Sequence, residues 1–352
     1  MKVAVTADTH ITSKGKHPER SLALENVCSQ ANDLQIEHIF LAGDILDKGV
    51  SAVGELDRIF SMFSSLTFHM IPGNHDIHLG DEMFTAENVH FYNMPVIKHF
   101  APESIPFLFV PYSPASSMGI LLQKYSQGLH PGKWILVSHG DWTGSLKKGN
   151  PLEPGVYMPL TRTDIEIHQP ALVLLGHIHQ PISSGVIHYP GSPCGLDISE
   201  TGPRSFIILD TEDISITRRT VETEILYFDE TFIITPSEDE VHQFLEILNS
   251  RIDSWGLTKT TQNKTIIRIN LKGYSKNREK LSSAVNKALE GFSFYKEKGP
   301  DLTDLLPASD PELAWIARQV TRNIQDLEWH QTPDLPEKED ILLASLSVIY
   351  GD

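Results

Sequence analysis

Short apolar runs, each closed by glycine or a polar residue, recur through the first 220 positions of the chain. Val-Ala-Val at 3–5, Ile-Phe-Leu at 39–41, Ile-Leu-Val at 135–137 and Leu-Val-Leu-Leu at 172–175 are of this kind. Runs of that length and bounding read as buried strands. The pattern predicts strands near 2–7, 38–42, 67–71, 107–110, 134–138, 171–176, 184–189, 205–209 and 213–219. Segments 20–34 and 53–65 instead space their apolar residues as helices packed on a sheet do. Strand and helix alternate early and strands dominate later, which fits an α/β chain layered as an α/β/β/α sandwich.

From 219 onward the rhythm changes. Pro236 precedes Ser237-x-x-Glu240, a helix-start signature, and Val241, Phe244, Leu245, Leu248 and Ile252 then mark one helical face. Residues 265–271 read as a strand, 278–289 as a second helix closed by Gly291, and 292–296 as a final strand, giving a βαβαβ-like module. Two amphipathic helices follow, one marked by Leu313, Ile316, Ala317, Val320, Ile324 and Leu327, the other by Ile341, Leu342, Ser345, Leu346 and Ile349. Thr332-Pro-Asp-Leu-Pro breaks the chain between them. At 352 residues the chain exceeds the size at which one core stops growing, and three regions are expected: 1–218, 219–300 and 301–352.

The ends of the early strands carry the chemistry. Asp8 and His10 stand in Ala-Asp-Thr-His, Asp44 in Ala-Gly-Asp, Asn74 in Gly-Asn-His-Asp, His139 in Ser-His-Gly, and His177 and His179 in Gly-His-Ile-His. Singly, Asp8 is a turn residue, Asn74 a helix cap and any one His a satisfied polar group. Together, in order and at strand ends where sites are built, they read as a two-metal centre. Two divalent ions roughly 3.5–4 Å apart clamp a phosphate and generate a hydroxide at neutral pH. Nitrogen and oxygen ligands without a thiolate favour manganese, iron or zinc over calcium.

The motifs D-x-H, G-D-x-x-D, G-N-H-D, a lone His after a strand and G-H-x-H, in this order, resemble those of the calcineurin-like metallophosphoesterases. Within that superfamily the chain looks most like the SbcD-type DNA-repair exonucleases. That narrower likeness rests on Tyr-Pro-Gly-Ser-Pro at 189–193, Glu200, the strand at 205–209 and the cap-like region after 220. The resemblance implies a four-layer metallophosphoesterase sandwich with a smaller α+β capping domain and a helical C-terminal tail. It implies two divalent ions, manganese foremost, with iron, zinc or magnesium as alternatives. Asp8, His10, Asp44 and His179 would hold one ion, and Asp44, Asn74, His139 and His177 the other, so that Asp44 bridges them.

His75, not itself a ligand, would contact the scissile phosphate and protonate the leaving oxygen. Asp47 is the expected partner orienting its imidazole, although on its own it also reads as a helix cap. Family members outside the nuclease branch follow this Asp with Arg; here the residue is Lys48, which fits a nuclease. The implied activity is exo- or endonucleolytic cleavage of DNA phosphodiesters. The alternative is a stand-alone phosphodiesterase acting on a small nucleotide or phospholipid. A fold kept only as an interaction scaffold has no reason to retain His75 and both G-H-x-H imidazoles. The implied partners are DNA and an SMC-like coiled-coil ATPase of the SbcC type docked on the tail helices, which otherwise pack at home; a homodimer is compatible with the family.

Charge cuts across this picture. The formal net charge is −17, yet residues 259–298 hold ten Lys or Arg against three acids. Lys272, Lys276, Arg278 and Lys280 in that segment are candidate contacts to a nucleic-acid backbone, as are Lys14, Lys16 and Arg20 behind the first motif and Lys147 and Lys148 after Ser-His-Gly-Asp-Trp. The same basic segment also reads as an ordinary solvated face, and Trp142 as either a base-stacking ring or a loop filler. Eleven other histidines read as structural or solvated. No run approaches the ~18 apolar residues of a membrane span. Two cysteines, Cys28 and Cys194, give no disulfide framework. With a strand beginning at once and no room for a leader, the expectation is a cytosolic protein.

Overall fold

A computed structural model describes residues 1–144, 155–329 and 335–351. The chain divides into two compact units, Met1–Leu196 with Pro203–Glu224, and Asp197–Gly202 with Ile225–Asp352.

The first unit is built on two six-stranded sheets. One contains β1 (Lys2–Thr6), β2 (His38–Ala42), β3 (Thr67–Ile71), β4 (Val89–Phe91), β11 (Ser205–Asp210) and β12 (Ser215–Thr220), in the order β12-β11-β1-β2-β3-β4. The other contains β5 (Val96–Lys98), β6 (Phe107–Val110), β7 (Ile135–His139), β8 (Leu172–Gly176), β9 (Ile182–Ser184) and β10 (Ile187–Tyr189), in the order β5-β6-β7-β8-β10-β9. β1 to β4 run parallel, and so do β6, β7, β8 and β10.

The period-two alternation of a strand explains the layering. Val3, Val5 and Phe40 from one sheet meet Phe107, Phe109, Ile135, Val137 and Leu174 from the other in a single core. The opposite parity of the second sheet, Leu108, Val110, Leu136 and Val173, packs on Met118 and Leu122 of α3 (Met118–Tyr125) and Ile165 of α4 (Arg162–His168). On the first sheet's outer face lie α1 (Pro18–Asp33) and α2 (Val53–Met62), where Phe60 meets Phe68 with ring centroids 4.4 Å apart. The result is the four-layer α/β/β/α sandwich that the pattern predicts. The run expected as one strand over 184–189 is instead a hairpin, because Gly185 at φ 60° turns the chain between β9 and β10.

The second unit holds a parallel sheet of four strands. β13 (Leu226–Ile234) lies on one side of β14 (Thr265–Ser275); β15 (Ser293–Phe294) and β16 (Leu305–Pro307) pair with different stretches of β14. Phe244 and Leu248 of α5 (Glu240–Ser254) and Leu281 and Val285 of α7 (Arg278–Ala288) share a core with Ile267, Ile269 and Leu271; the short α6 is Lys259–Gln262. Ala317 and Ile324 of α8 (Pro311–Asp326) and Leu342 and Leu346 of α9 (Lys338–Tyr350) pack with Tyr274 of β14, so this unit takes in residues on both sides of position 300.

The capping box expected at Ser237 and Glu240 does not form. Ser237 bonds the Gln243 side chain at 3.0 Å, while buried Glu240 accepts from the Ser275 hydroxyl and from the backbone N–H groups of Lys276 and Asn277. Glu240 thus ties the start of α5 to the turn before α7, a tertiary use of a residue that looks local in sequence.

Candidate metal centre

Parallel strands end at a common edge, and that fact assembles the site. Asp8 follows β1, Asp44 follows β2, Asn74 follows β3, His139 closes β7, and His177 follows β8. One ligand atom each from Asp8, His10 and His179 lie within 4.8 Å of one another, as do those from Asp44, His139 and His177; all six residues are buried. The Nε2 atoms of His10 and His179 are 3.3 Å apart. The Nε2 of His139 lies 3.0 Å from the Asn74 Oδ1 and 3.4 Å from the Asp44 Oδ2. The same Asp44 oxygen is 3.8 Å from the His10 Nε2, so Asp44 faces both clusters.

The backbone is strained where the side chains are aimed. Asp8 (φ 54°), His10 (φ 43°), Asp44 (φ 49°) and His177 (φ 99°) all occupy positive φ, which non-glycine residues rarely do. Such conformations cost of order 1–3 kcal/mol each and gather at functional sites. Gly73 has a different necessity: a Cβ there would lie 2.2 Å from the Asp44 Oδ1.

A second layer of contacts holds the ligands. His139 donates its Nδ1–H to the Ala42 carbonyl at 2.9 Å, which turns Nε2 toward the cluster, where an ion would take its lone pair in place of a proton. Asp8 accepts from the His177 backbone N–H at 2.8 Å. Asp76 takes three backbone N–H groups, from Gly73, Ile45 and Leu46, and so knits the Asn74 loop to the Asp44 loop. Tyr189 of Tyr-Pro-Gly-Ser-Pro donates to the Gly140 carbonyl and accepts from the Trp142 N–H, clamping the loop after His139.

Electrostatics fit cations. Burial raises the Asp8 carboxyl to about 6 and depresses His10 well below the usual imidazole range. Burial opposes charge on Asp44 as well, yet neighbouring His139 and other imidazoles hold its carboxyl far below the ordinary range. His139 moves the other way: burial disfavours its charge, but Asp44, Asp8 and the Ala42 carbonyl raise it. A proton on His139 thus supplies positive charge that bound ions would otherwise provide. The Oδ2 atoms of Asp8 and Asp44 are buried without a hydrogen-bond partner, a costly arrangement unless a cation takes them. The nitrogen and oxygen donor set therefore fits two divalent ions.

Not every expected residue lands as the sequence suggests. His75 does sit at the site, its backbone N–H on Asp44 and its ring 4.9 Å from that of His10. Its Nδ1 is held, however, by the Asp47 main-chain carbonyl at 3.0 Å and not by the Asp47 carboxylate. That carboxylate turns instead to Arg20, 3.2 Å away. Arg20 is itself a correction: expected as a surface contact to DNA, it is buried (8% exposed), because α1 starts at Pro18 and carries it inward. Lys14 and Lys16 are exposed. Lys147 and Lys148 lie outside the described residues. In the second unit Lys272 pairs with Asp304 at 3.4 Å, Lys276 with Glu238, and Arg278 donates to the Leu302 carbonyl, while Lys280 is exposed. Trp142 is 7% exposed and fills the core beside α3.

Two supporting residues were not visible in the sequence. Asp141 places an oxygen 3.6 Å from the His177 Nε2 and accepts the Tyr157 N–H at 2.6 Å. Arg204, 1% exposed, donates to the His179 and Ser192 carbonyls. Asp141 lies two positions beyond His139 in Ser-His-Gly-Asp, a local signal; Arg204 had none.

The family described as the calcineurin-like phosphoesterase superfamily domain matches residues 1–214. The chain belongs to that superfamily. Its members are metal-dependent phosphoester hydrolases that bind two divalent ions, in keeping with the two clusters. No curated protein matches the sequence. Among solved structures, an archaeal phosphodiesterase is similar at 16% identity, over 63% of this chain and 100% of its own, with a TM-score of 0.34. The protein TT1561 of Thermus thermophilus aligns at 15% identity over 63% and 99%, TM-score 0.39. A dimetal phosphatase from Danio rerio aligns at 9% identity over 63% and 96%, TM-score 0.43. At such distances these likenesses carry nothing about the substrate of this calcineurin-like phosphoesterase.

Proposed function

We propose that this calcineurin-like phosphoesterase is a metal-dependent DNA nuclease of the SbcD kind. The observation that carries the reading is the pair of buried clusters, Asp8–His10–His179 and Asp44–His139–His177, with Asp44 facing both and His75 fixed beside them. Asp8, His10, Asp44 and His179 would hold one ion, and Asp44, Asn74, His139 and His177 the other. Bound divalent cations supply Lewis acidity to a phosphoryl oxygen and an activated nucleophile at neutral pH. His75, anchored through Nδ1–H, presents Nε2 to the ester; in the imidazolium form its Nε2–H would pass a proton to the departing oxygen, leaving the neutral Nδ1–H tautomer.

DNA as substrate is favoured by a second unit whose exposed bases include Lys259, Lys280, Lys287, Lys296 and Lys298. A small-diester substrate is the second reading, favoured by the engagement of Lys272 and Lys276 with Asp304 and Glu238. Labelled linear DNA incubated with Mn2+, beside a cyclic nucleotide and bis(p-nitrophenyl) phosphate, separates them. DNA cleavage supports the nuclease, hydrolysis of small diesters alone replaces it with the second reading, and no hydrolysis of any contradicts both. We further propose that α8 and α9, which expose Trp315 and Val348, dock a coiled-coil ATPase. Trp315→Glu with Val348→Glu should then abolish co-purification of that ATPase, and unimpaired co-purification would contradict the docking. Among the described residues no helix is long and apolar enough to cross a membrane.

A further inference from the structure

We infer that Arg20 is a positioning residue for His75, acting through Asp47. The inference rests on the role proposed above for His75 as the proton donor. Its basis is a ladder of contacts between the two loops that carry His10 and Asp44. His10 N–H donates to the Asp44 carbonyl at 3.0 Å, Ile11 N–H to the Ile45 carbonyl at 2.8 Å, and Asp47 N–H to the Ile11 carbonyl at 3.1 Å. Asp47 is the last rung, and its own carbonyl takes the His75 Nδ1 at 3.0 Å. Arg20 closes the ladder from α1: one guanidinium nitrogen, Nη1, reaches both the His10 carbonyl at 3.0 Å and the Asp47 Oδ1 at 3.2 Å.

This makes Asp47 the joint between Arg20 and His75. The Asp47 carboxylate is fixed by a charge, and its carbonyl, on the same residue, fixes the imidazole. A main-chain carbonyl accepts only N–H, so it selects the tautomer with the proton on Nδ1 and leaves Nε2 facing the site. Arg20 is poorly explained as a stability element. Its Nε is buried without a hydrogen-bond partner, so the guanidinium is incompletely satisfied and its two contacts both fall on loops of the metal centre. Lys at this position would keep the charge, but its shorter, flexible stem would not hold an ammonium where the rigid guanidinium sets Nη1 between both acceptors.

The test combines Arg20→Ala, Arg20→Lys, Asp47→Asn and His75→Ala in a double-mutant cycle, read with bis(p-nitrophenyl) phosphate and Mn2+, with metal content measured for each variant. Arg20→Ala should lower kcat about tenfold to a hundredfold, the range for an outer-layer partner of a site residue. KM should stay within about twofold and both ions should be retained; Arg20→Lys should recover part of the loss. Asp47→Asn should fall on the same side of the cycle. In the His75→Ala background, removing Arg20 should cost less than about threefold, because the group it positions is gone. Independent of turnover, 15N long-range spectra of the metal-free protein should show His75 as the Nδ1–H tautomer, and a tautomer mixture in Arg20→Ala. An unchanged tautomer in that variant would overturn the inference, as would an equal loss of kcat with and without His75, or loss of bound metal on removing Arg20. If Arg20→Ala does not fold, the cycle with Asp47→Asn decides on the same criterion. Unchanged turnover in His75→Ala would instead sink the role of His75 itself, a different failure from a large His75 effect that multiplies fully with that of Arg20.

Discussion

Charged and polar side chains are used in opposite ways at the edge of the sandwich and on the second unit. At the edge, Asp8, His10, Asp44, His139 and His177 are almost completely buried, all but His139 on strained backbone, with two carboxylate oxygens left without a hydrogen bond. On the second unit, Lys272, Lys276 and Arg268 meet Asp304, Glu238 and Asp229 at or near the surface. Burying a polar atom without a partner is expensive, whereas a surface ion pair is worth at most about 1 kcal/mol. Among the described residues, the buried carboxylate oxygens without a hydrogen bond, on Asp8 and Asp44, both fall at the site. Within the basic segment 259–298, Arg268, Lys272 and Lys276 are met by acids that the sequence places far from them, while Lys259, Lys280, Lys287, Lys296 and Lys298 stay exposed.

The sharpest contrast is expected at Asp44, which faces both clusters. Asp44→Asn should lose bound metal and bring phosphodiester hydrolysis to background, checked by elemental analysis beside a turnover assay. Two retained ions with normal turnover would contradict the bridging position. His75→Ala comes next: it should keep both ions and lose about 10²- to 10⁴-fold in rate, as removal of a general acid does. Metal loss in that variant would move His75 among the ligands.

A third effect concerns stability and the core between the sheets. His69 is buried against Phe40 and Phe100, bonded to His38 and to the Tyr92 hydroxyl, and burial pushes its imidazole down to about 2. The unfolded chain takes up a proton below about 6.5 while the folded chain does not. This group's stabilisation is therefore complete above pH 6.5 and falls as pH drops towards 2. From pH 7 to 5 the loss should be about 2 kcal/mol. Urea titrations of wild type and His69→Phe should show a shallower acid dependence in the variant, and parallel curves would exclude His69 as the cause.

The smallest effect sharpens the comparison on the second unit itself. If DNA binds there, Lys280→Ala with Lys287→Ala should flatten the salt dependence of binding by about 0.9 per lost phosphate contact. Lys272→Ala and Lys276→Ala should change it less, since those ammonium groups already face acids. An equal flattening in both pairs would show that the ion pairs open on binding.

Much of this architecture was legible. β2 and β3 lie where the apolar runs place them, since a buried parallel strand announces itself by a short Val, Ile and Phe-rich run. The seven candidate ligands were legible because each motif ends such a run. The short β4, β5 and α4 were not, being fixed by edge pairing and by packing under the second sheet. Nor could sequence tell which part of Asp47 would meet His75, because the direction of its carboxylate is set by Arg20, 27 residues away. Arg204 was hidden for the same reason: it reaches the His179 carbonyl across 25 residues.

The central claim is that the two clusters are metal sites, and counting ions tests it most directly. Calorimetric titration of the chelator-treated protein with Mn2+, confirmed by elemental analysis after desalting, should give two equivalents per chain, with proton release at neutral pH as His139 gives up its proton. No specific uptake, or two equivalents retained when Asp8, His10 and His179 are all changed to alanine, would contradict the account.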